Sequence, residues 1–174
     1  IGIYEEMLAT PDYAGLNMLE VVYGNDEPEK SLTEAQAAIQ KYQTLKGILA
    51  PTTVAYVAAC QAVENAGKAG EILVYGTAFP NQSREFLKSG VSQGAILWDT
   101  YGMGAVAGEL CKAIVFDGFK IEEGAKFTAG SYGEVAFLAD NKAFGGPPLE
   151  LYADNVGWMP RGCFFMDRHP WLNH

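Results

Sequence analysis

Apolar positions along the chain fall into short runs separated by amphipathic stretches, an alternation of strands and helices. Leu19-Glu20-Val21-Val22-Tyr23 reads as a strand, and Gly24-Asn25-Asp26-Glu27-Pro28 after it reads as a turn. Ser31-Leu32-Thr33-Glu34 has the spacing of a capping box, opening a helix with Leu32, Ala35, Ile39 and Tyr42 on one face. Gly47-Ile48-Leu49-Ala50 is a second strand, and Pro51-Thr52-Thr53 leads into a helix through Val54, Val57, Ala58 and Gln61. Glu71 to Tyr75 is a third strand, followed by a helix that Asn81 would cap and Gly90 would stop. Ala95-Ile96-Leu97-Trp98 is a fourth. Asp99 or Thr100 then caps a helix with Met103, Val106, Leu110 and Ile114 inward, ending near Gly118.

Four strand-then-helix units in series predict an α/β fold, a parallel sheet with helices on both faces joined by right-handed crossovers. From about Ile121 the pattern turns β-rich, with Lys126 to Ala129 and Glu134 to Leu138 as strands and Gly145-Gly146-Pro147-Pro148 as a turn. The last twenty residues are aromatic-rich and carry no period.

The net charge of −9 argues against nucleic acid or an anionic membrane as partner, because both need clustered Lys and Arg. The longest apolar runs, such as Val54 to Cys60, fall well short of the roughly 20 residues of a membrane span. Both histidines, His169 and His174, lie in the final six residues, so a histidine-based triad in the body of the fold is excluded. Cys60, Cys111 and Cys163 are an odd number at wide spacing, which favours small buried hydrophobes over a disulfide framework. The opening Ile1-Gly2-Ile3-Tyr4 has neither initiator Met nor signal segment, and reads as a mature, cut or truncated product.

In an open parallel sheet, ligands bind outside the carboxyl ends of the strands. That rule selects Gly24 to Glu27, Pro51 to Thr53, Thr77 to Asn81 and Trp98 to Tyr101. Their side chains are hydroxyls, carboxamides, carboxylates and large aromatics, without a cationic cluster for phosphate. Such a set suits a hydroxyl-rich ligand, since carboxylates and amides hold neighbouring hydroxyls while an aromatic face covers the apolar side of a sugar ring. The plain alternative makes Asn81 and Asp99 ordinary helix caps, Trp98 a core aromatic and Pro51 a helix-starting residue.

Four linked stretches carry a resemblance. Gly47-Ile48-Leu49-Ala50-Pro51-Thr52-Thr53-Val54, Phe79-Pro80-Asn81-Gln82-Ser83-Arg84-Glu85, Ala95-Ile96-Leu97-Trp98-Asp99 and Lys126-Phe127-Thr128-Ala129-Gly130 occur in this order. With the turn Asp26-Glu27-Pro28-Glu29-Lys30-Ser31, they resemble the second half of type I periplasmic sugar-binding proteins, the receptors of ABC importers. The branch looks like the rhamnose-binding proteins and the autoinducer-2 receptors, and the likeness runs from Ile1 to about Val156.

The resemblance implies two α/β lobes closing over a small sugar or the furanosyl signal, an ABC permease as partner, and an extracytoplasmic location in the periplasm or on a lipid anchor. It implies that Pro51, Thr52 and Thr53 present backbone groups and hydroxyls to the ligand. Asn81 would hydrogen-bond it, Trp98 and Asp99 would line the cleft near the hinge, and Phe79 would add to the aromatic wall. On this reading residues 1–98 form the C-terminal-type lobe, 99–120 a crossover helix belonging to the other lobe, and 121–174 a β-rich return segment with an aromatic tail. The first lobe would precede Ile1 and is absent. The apolar stripe of the crossover helix is then expected to be exposed, and the isolated chain to self-associate.

Other readings are weaker. Gly102-Met103-Gly104-Ala105-Val106-Ala107-Gly108 approximates a dinucleotide-binding pattern but follows the fourth strand, so close helix packing explains it better and no cofactor is expected. Cys163, Asp167, His169 and His174 are metal-ligand types at irregular spacing, and no metal is expected of them. The carboxylates Glu5-Glu6, Glu27 with Glu29, and Glu122-Glu123 read as solvated faces, and Gly-x-Ser-x-Gly is missing, so an enzyme is not expected. The alternative is the effector-binding core of a lac-repressor-type regulator, which has the same lobes behind a helix-turn-helix segment.

Overall fold

In the computed structural model, which describes residues 2–143 and 148–157, the chain opens with a short helix α1 (Gly2–Ala9). Pro28 decides where the next begins. With φ fixed and no N–H to leave unsatisfied, it occupies the first turn of α2 (Pro28–Lys41), and Glu27 is the flanking residue. The expected capping box at Ser31 therefore does not form. Ser31 lies inside the helix, buried, with its hydroxyl lacking a hydrogen-bond partner among the described residues. Ala35 and Ile39 are buried as the periodicity predicts.

β1 (Gly47–Ala50), β2 (Leu73–Thr77) and β3 (Gly94–Leu97) pair in parallel in that order, within two residues of the expected strands. α3 (Thr53–Asn65) and α4 (Pro80–Ser89) connect them. α5 (Thr100–Asp117) follows and ends at Gly118. Gly90 and Gly118 both stop their helices in the left-handed region, at φ 77° and 67°, as expected. β4 (Lys126–Thr128) and β5 (Glu134–Ala136) form an antiparallel pair, the expected β-rich segment. β6 (Leu149–Leu151) then returns to the main sheet and runs antiparallel to β3.

Leu19–Tyr23 does not join the sheet. Leu19, Val21, Val22 and Tyr23 are exposed, and strand propensity has no effect without a partner ladder and a face to bury. The segment is held at its ends instead. Glu20 pairs with Lys41 at 2.7 Å, and Asp26 meets Thr52. It thus passes from the C-terminal end of α2 to the carboxyl end of β1.

The α/β class stands, with one difference in how the helices are distributed. Right-handed crossovers that step twice in the same direction put α3 and α4 on the same face. There Tyr56, Cys60 and Val63 of α3, Leu87 of α4 and Val74 of β2 form one core with Ala35 and Ile39 of α2. Burying each of the larger side chains contributes about 1.5–3 kcal/mol. On the other face Leu49, Tyr75 and Ile96 remain 47%, 44% and 47% exposed. Gly76 is required where α3 meets the sheet, because a Cβ there would overlap the Ala50 carbonyl and press on the Tyr56 ring.

A second, smaller core joins α5 to the hairpin. Phe127, Val135 and Phe137 pack against Val106, Leu110 and Phe119, with ring centroids of Phe119 and Phe127 5.7 Å apart. Half of the expected α5 stripe is thus covered, while Met103 and Ile114 stay exposed. Cys60 is buried as expected and Cys111 is not, since it lies on the outer side of α5. No described helix is long and apolar enough to cross a membrane. The Gly145-Gly146-Pro147 part of the expected turn, the aromatic tail and the residues Cys163, Asp167, His169 and His174 lie outside the described residues.

Candidate ligand-binding edge of the sheet

Three adjacent parallel strands end in three turns, and each turn opens a helix. After β1, Pro51 keeps Ala50 extended, and Thr52 follows as the N-cap of α3. The Thr52 hydroxyl accepts from the Ala55 N–H at 3.2 Å and donates to Asp26 Oδ1 at 2.8 Å. Its donor is therefore committed within the protein, and only acceptor capacity faces outward. Of the hydroxyls that the turn is expected to present, that of Thr52 is left as an acceptor. Thr53 begins the helix and is half-buried, while Pro51 and Thr52 are exposed. Asp26 reaches Thr52 from a tight turn in which Asn25 and Asp26 both have positive φ, 54° and 59°, a region these two residue types tolerate.

After β2, Phe79 and not Asn81 is the N-cap of α4, because Pro80 takes the first helical position. Phe79 is 47% exposed at this edge. Asn81, freed from capping, is bound by Arg84 one turn along the helix: Nη2 donates to Asn81 Oδ1 at 2.9 Å. The same guanidinium donates from Nε to the Val156 carbonyl at 3.1 Å and from Nη2 to the Gly157 carbonyl at 2.8 Å. Arg84 thereby ties the start of α4 to the chain that follows β6.

After β3, Trp98 is 50% exposed, so it is not the core aromatic of the plain reading. Asp99 caps α5, accepting from the Gly102 N–H at 2.7 Å. Position 102 has no room for a side chain, since a Cβ would overlap the Asp99 carboxylate and the Tyr132 ring. The dinucleotide-like glycines are thus explained by packing at Gly102, whereas Gly104 and Gly108 meet open space and lack the close packing expected of them. Burial first, and then the Asp99 carboxylate and Tyr101, push the Tyr132 phenol above its ordinary range.

Beyond the carboxyl ends of β1, β2 and β3, Pro51, Thr52, Phe79, Trp98 and Asp99 lie on the connecting turns, and Thr53 and Asn81 lie in the first turns of α3 and α4. Among the described residues no hydrogen bond joins Thr52, Asn81 and Asp99 to one another. Each is fixed by its own anchor, namely Asp26, Arg84 and the Gly102 N–H. Sequence reasoning passed over two of these neighbours and an aromatic beside Asp99. Asp26 lay in a turn that the sheet rule had already selected, and Arg84 lay in a quoted motif. Tyr132 had no local signal, because it arrives from the hairpin 33 residues beyond Asp99.

A separate open groove of about 430 Å³ lies between α5 and the 130–132 turn, lined by Ala105, Gly108, Glu109 and Tyr132 among others. The only charged group among its lining residues is Glu109, and Tyr132 is shared with the surroundings of Asp99. Among the described residues no group of three or more His, Cys, Asp or Glu is placed to hold a metal ion.

A family model for the periplasmic binding protein domain matches residues 2–118. A sugar ABC transporter from Actinomyces odontolyticus is similar over 88% of this chain and 49% of its own, at 32% identity and a TM-score of 0.79. An ABC transporter solute binding protein from Clostridium phytofermentas with bound L-rhamnose shares the fold at 23% identity and a TM-score of 0.75, covering 89% of this chain and 52% of its own. LsrB from Clostridium saccharobutylicum in complex with AI-2 does so at 18% identity and a TM-score of 0.72, over 89% and 52%. The chain spans about half the length of these structures.

Proposed function

Since the chain belongs to the periplasmic binding protein family, we propose that it supplies one lobe and the crossover of an extracytoplasmic sugar receptor for an ABC importer. Residues 1–98 are the lobe, 99–120 the crossover helix that packs on the other lobe, and 121–174 the return segment. The observation that carries this reading is the grouping of Thr52, Asn81 and Asp99 with the half-exposed Phe79 and Trp98 along one sheet edge.

The chemistry fits a small sugar bearing an apolar edge. Asp99 and Asn81 hold hydroxyls, Thr52 accepts a further one, and Trp98 and Phe79 cover C–H surface. A methyl-bearing deoxy sugar such as rhamnose suits this lining, and the furanosyl signal autoinducer-2 is the second ligand to try. The partner lobe closes the cleft from the opposite side, and the rim of the closed receptor docks the permease.

A thermal-shift panel of sugars on the full-length gene product tests the proposal. A bound sugar at a hundredfold its Kd stabilises the protein by about 2.7 kcal/mol, raising Tm by several degrees. The proposal expects such a shift for rhamnose or autoinducer-2. A flat panel would refute it.

A further inference from the structure

A guanidinium has five donors and no acceptor, so the atom of Asn81 that meets Arg84 at 2.9 Å must be the carbonyl oxygen of its amide. The amide cannot turn over without setting N–H against N–H. Arg84 cannot follow such a turn, since its Nε and Nη2 are also bonded to the carbonyls of Val156 and Gly157. Beyond the one Oδ1 lone pair that Arg84 leaves, what Asn81 has to offer is its NH2 group, with both donors turned away from Arg84, at an exposed position in the first turn of α4. We propose that Arg84 is a positioning residue that fixes Asn81 as a hydrogen-bond donor, so that this edge recognises an acceptor oxygen of the sugar at that point.

This rests on the sugar-receptor reading and adds to it the polarity of one contact. The other two anchors give the edge a definite pattern. Thr52, its donor committed to Asp26, can only accept, and Asp99 as a carboxylate can only accept. The bound sugar therefore donates toward the Thr52 and Asp99 turns and accepts at the turn between them. A hydroxyl can do either, so the parent sugar does not reveal the pattern, whereas a fluorine substituent, which never donates, does.

The test is calorimetric titration of the full-length protein with L-rhamnose and its monodeoxy and monodeoxyfluoro derivatives. At one ring position the fluoro derivative should bind at least threefold more tightly than the deoxy derivative, because fluorine still accepts from Asn81. Asn81→Asp keeps the Arg84 contact, as an ion pair, and removes the donor, so the preference at that position should vanish. Arg84→Met frees the amide to rotate and should shrink the same preference, with rhamnose itself still bound. Thermal unfolding of each variant separates this from a loosened fold.

Equal binding of fluoro and deoxy derivatives at every position would overturn the proposal. So would an Asn81→Asp variant that keeps the preference. If the unmutated protein shows no saturable rhamnose binding, the rhamnose reading fails and this inference falls with it. Rhamnose binding without the fluorine preference removes the assigned polarity alone.

Discussion

Asp99 has an observed role as a cap and a proposed role as a ligand, and a pair of substitutions separates them. As an N-cap its oxygen satisfies the Gly102 N–H, which Asn does nearly as well, whereas Ala costs about 1 kcal/mol. As a proposed sugar ligand it accepts hydrogen bonds with its full charge, worth about 1.5–3 kcal/mol against about 0.5–1.5 for a neutral group. Asp99→Asn should therefore leave the denaturation midpoint nearly unchanged while lowering sugar affinity by about fivefold, and Asp99→Ala should lower both. Equal affinity of Asp99→Asn and the unmutated protein would count against the charged contact. Ser31 gives a second residue-scale test. Inside α2 its buried hydroxyl is unpartnered, so Ser31→Ala should be neutral or stabilising by about 1 kcal/mol in chemical denaturation. A capping box would make the same change cost about 1 kcal/mol, the opposite sign.

At the scale of elements, α3 carries the main core, and two of its buried groups make stability depend on alkaline pH. Burial pushes the Cys60 thiol from 9.0 to about 12 and raises the Tyr56 phenol well above its ordinary 10. Both folded values lie above the unfolded ones, so their contribution is fully present below pH 9 and is lost as pH rises toward 12. Between pH 9 and 10 most of the loss should come from Cys60, whose ordinary value is the lowest of these groups, and the slope should shrink in Cys60→Ala, as urea midpoints at pH 7, 9 and 10 would reveal. An unchanged slope in Cys60→Ala would rule this out.

The same scale shows what the sequence makes legible. The helices α3, α4 and α5 and the three parallel strands could be read directly, because their period, their glycine stops and their flanking turns agree. Leu19–Tyr23 could not, since strand character does not reveal whether a ladder partner is at hand. The α2 start was misread because Ser31 and Glu34 mimic a cap, while Pro28 had the stronger steric claim. Asn81 lost its expected capping role to the same effect at Pro80. For the candidate site, the turns could be located by the sheet rule alone, but their anchors could not. Thr52 is bonded to Asp26 across 26 positions of sequence, and Asp99 acts on the Tyr132 phenol across 33.

For the whole molecule, uncovered apolar surface is the dominant fact. Leu49, Tyr75 and Ile96 on one face of the sheet are open, and Phe116 at the end of α5 is 81% exposed. Patches of this kind normally acquire a partner. We propose that a second lobe covers part of this surface in the assembled receptor, and that the 174-residue chain alone pairs with itself. Sedimentation of the isolated chain at tens of micromolar should show dimers or larger species. A strict monomer throughout would contradict the proposal, as would a full-length protein that associates just as strongly.

On the proposed function, a sugar is held at the carboxyl edge of β1, β2 and β3. Isothermal titration of the full-length gene product with a sugar panel, repeated with Asp99→Ala and Asn81→Ala, tests it most directly. Saturable binding of rhamnose or autoinducer-2 is expected, weakened about tenfold or more by Asp99→Ala and by a smaller factor by Asn81→Ala. Saturable binding that both variants leave unchanged would contradict it.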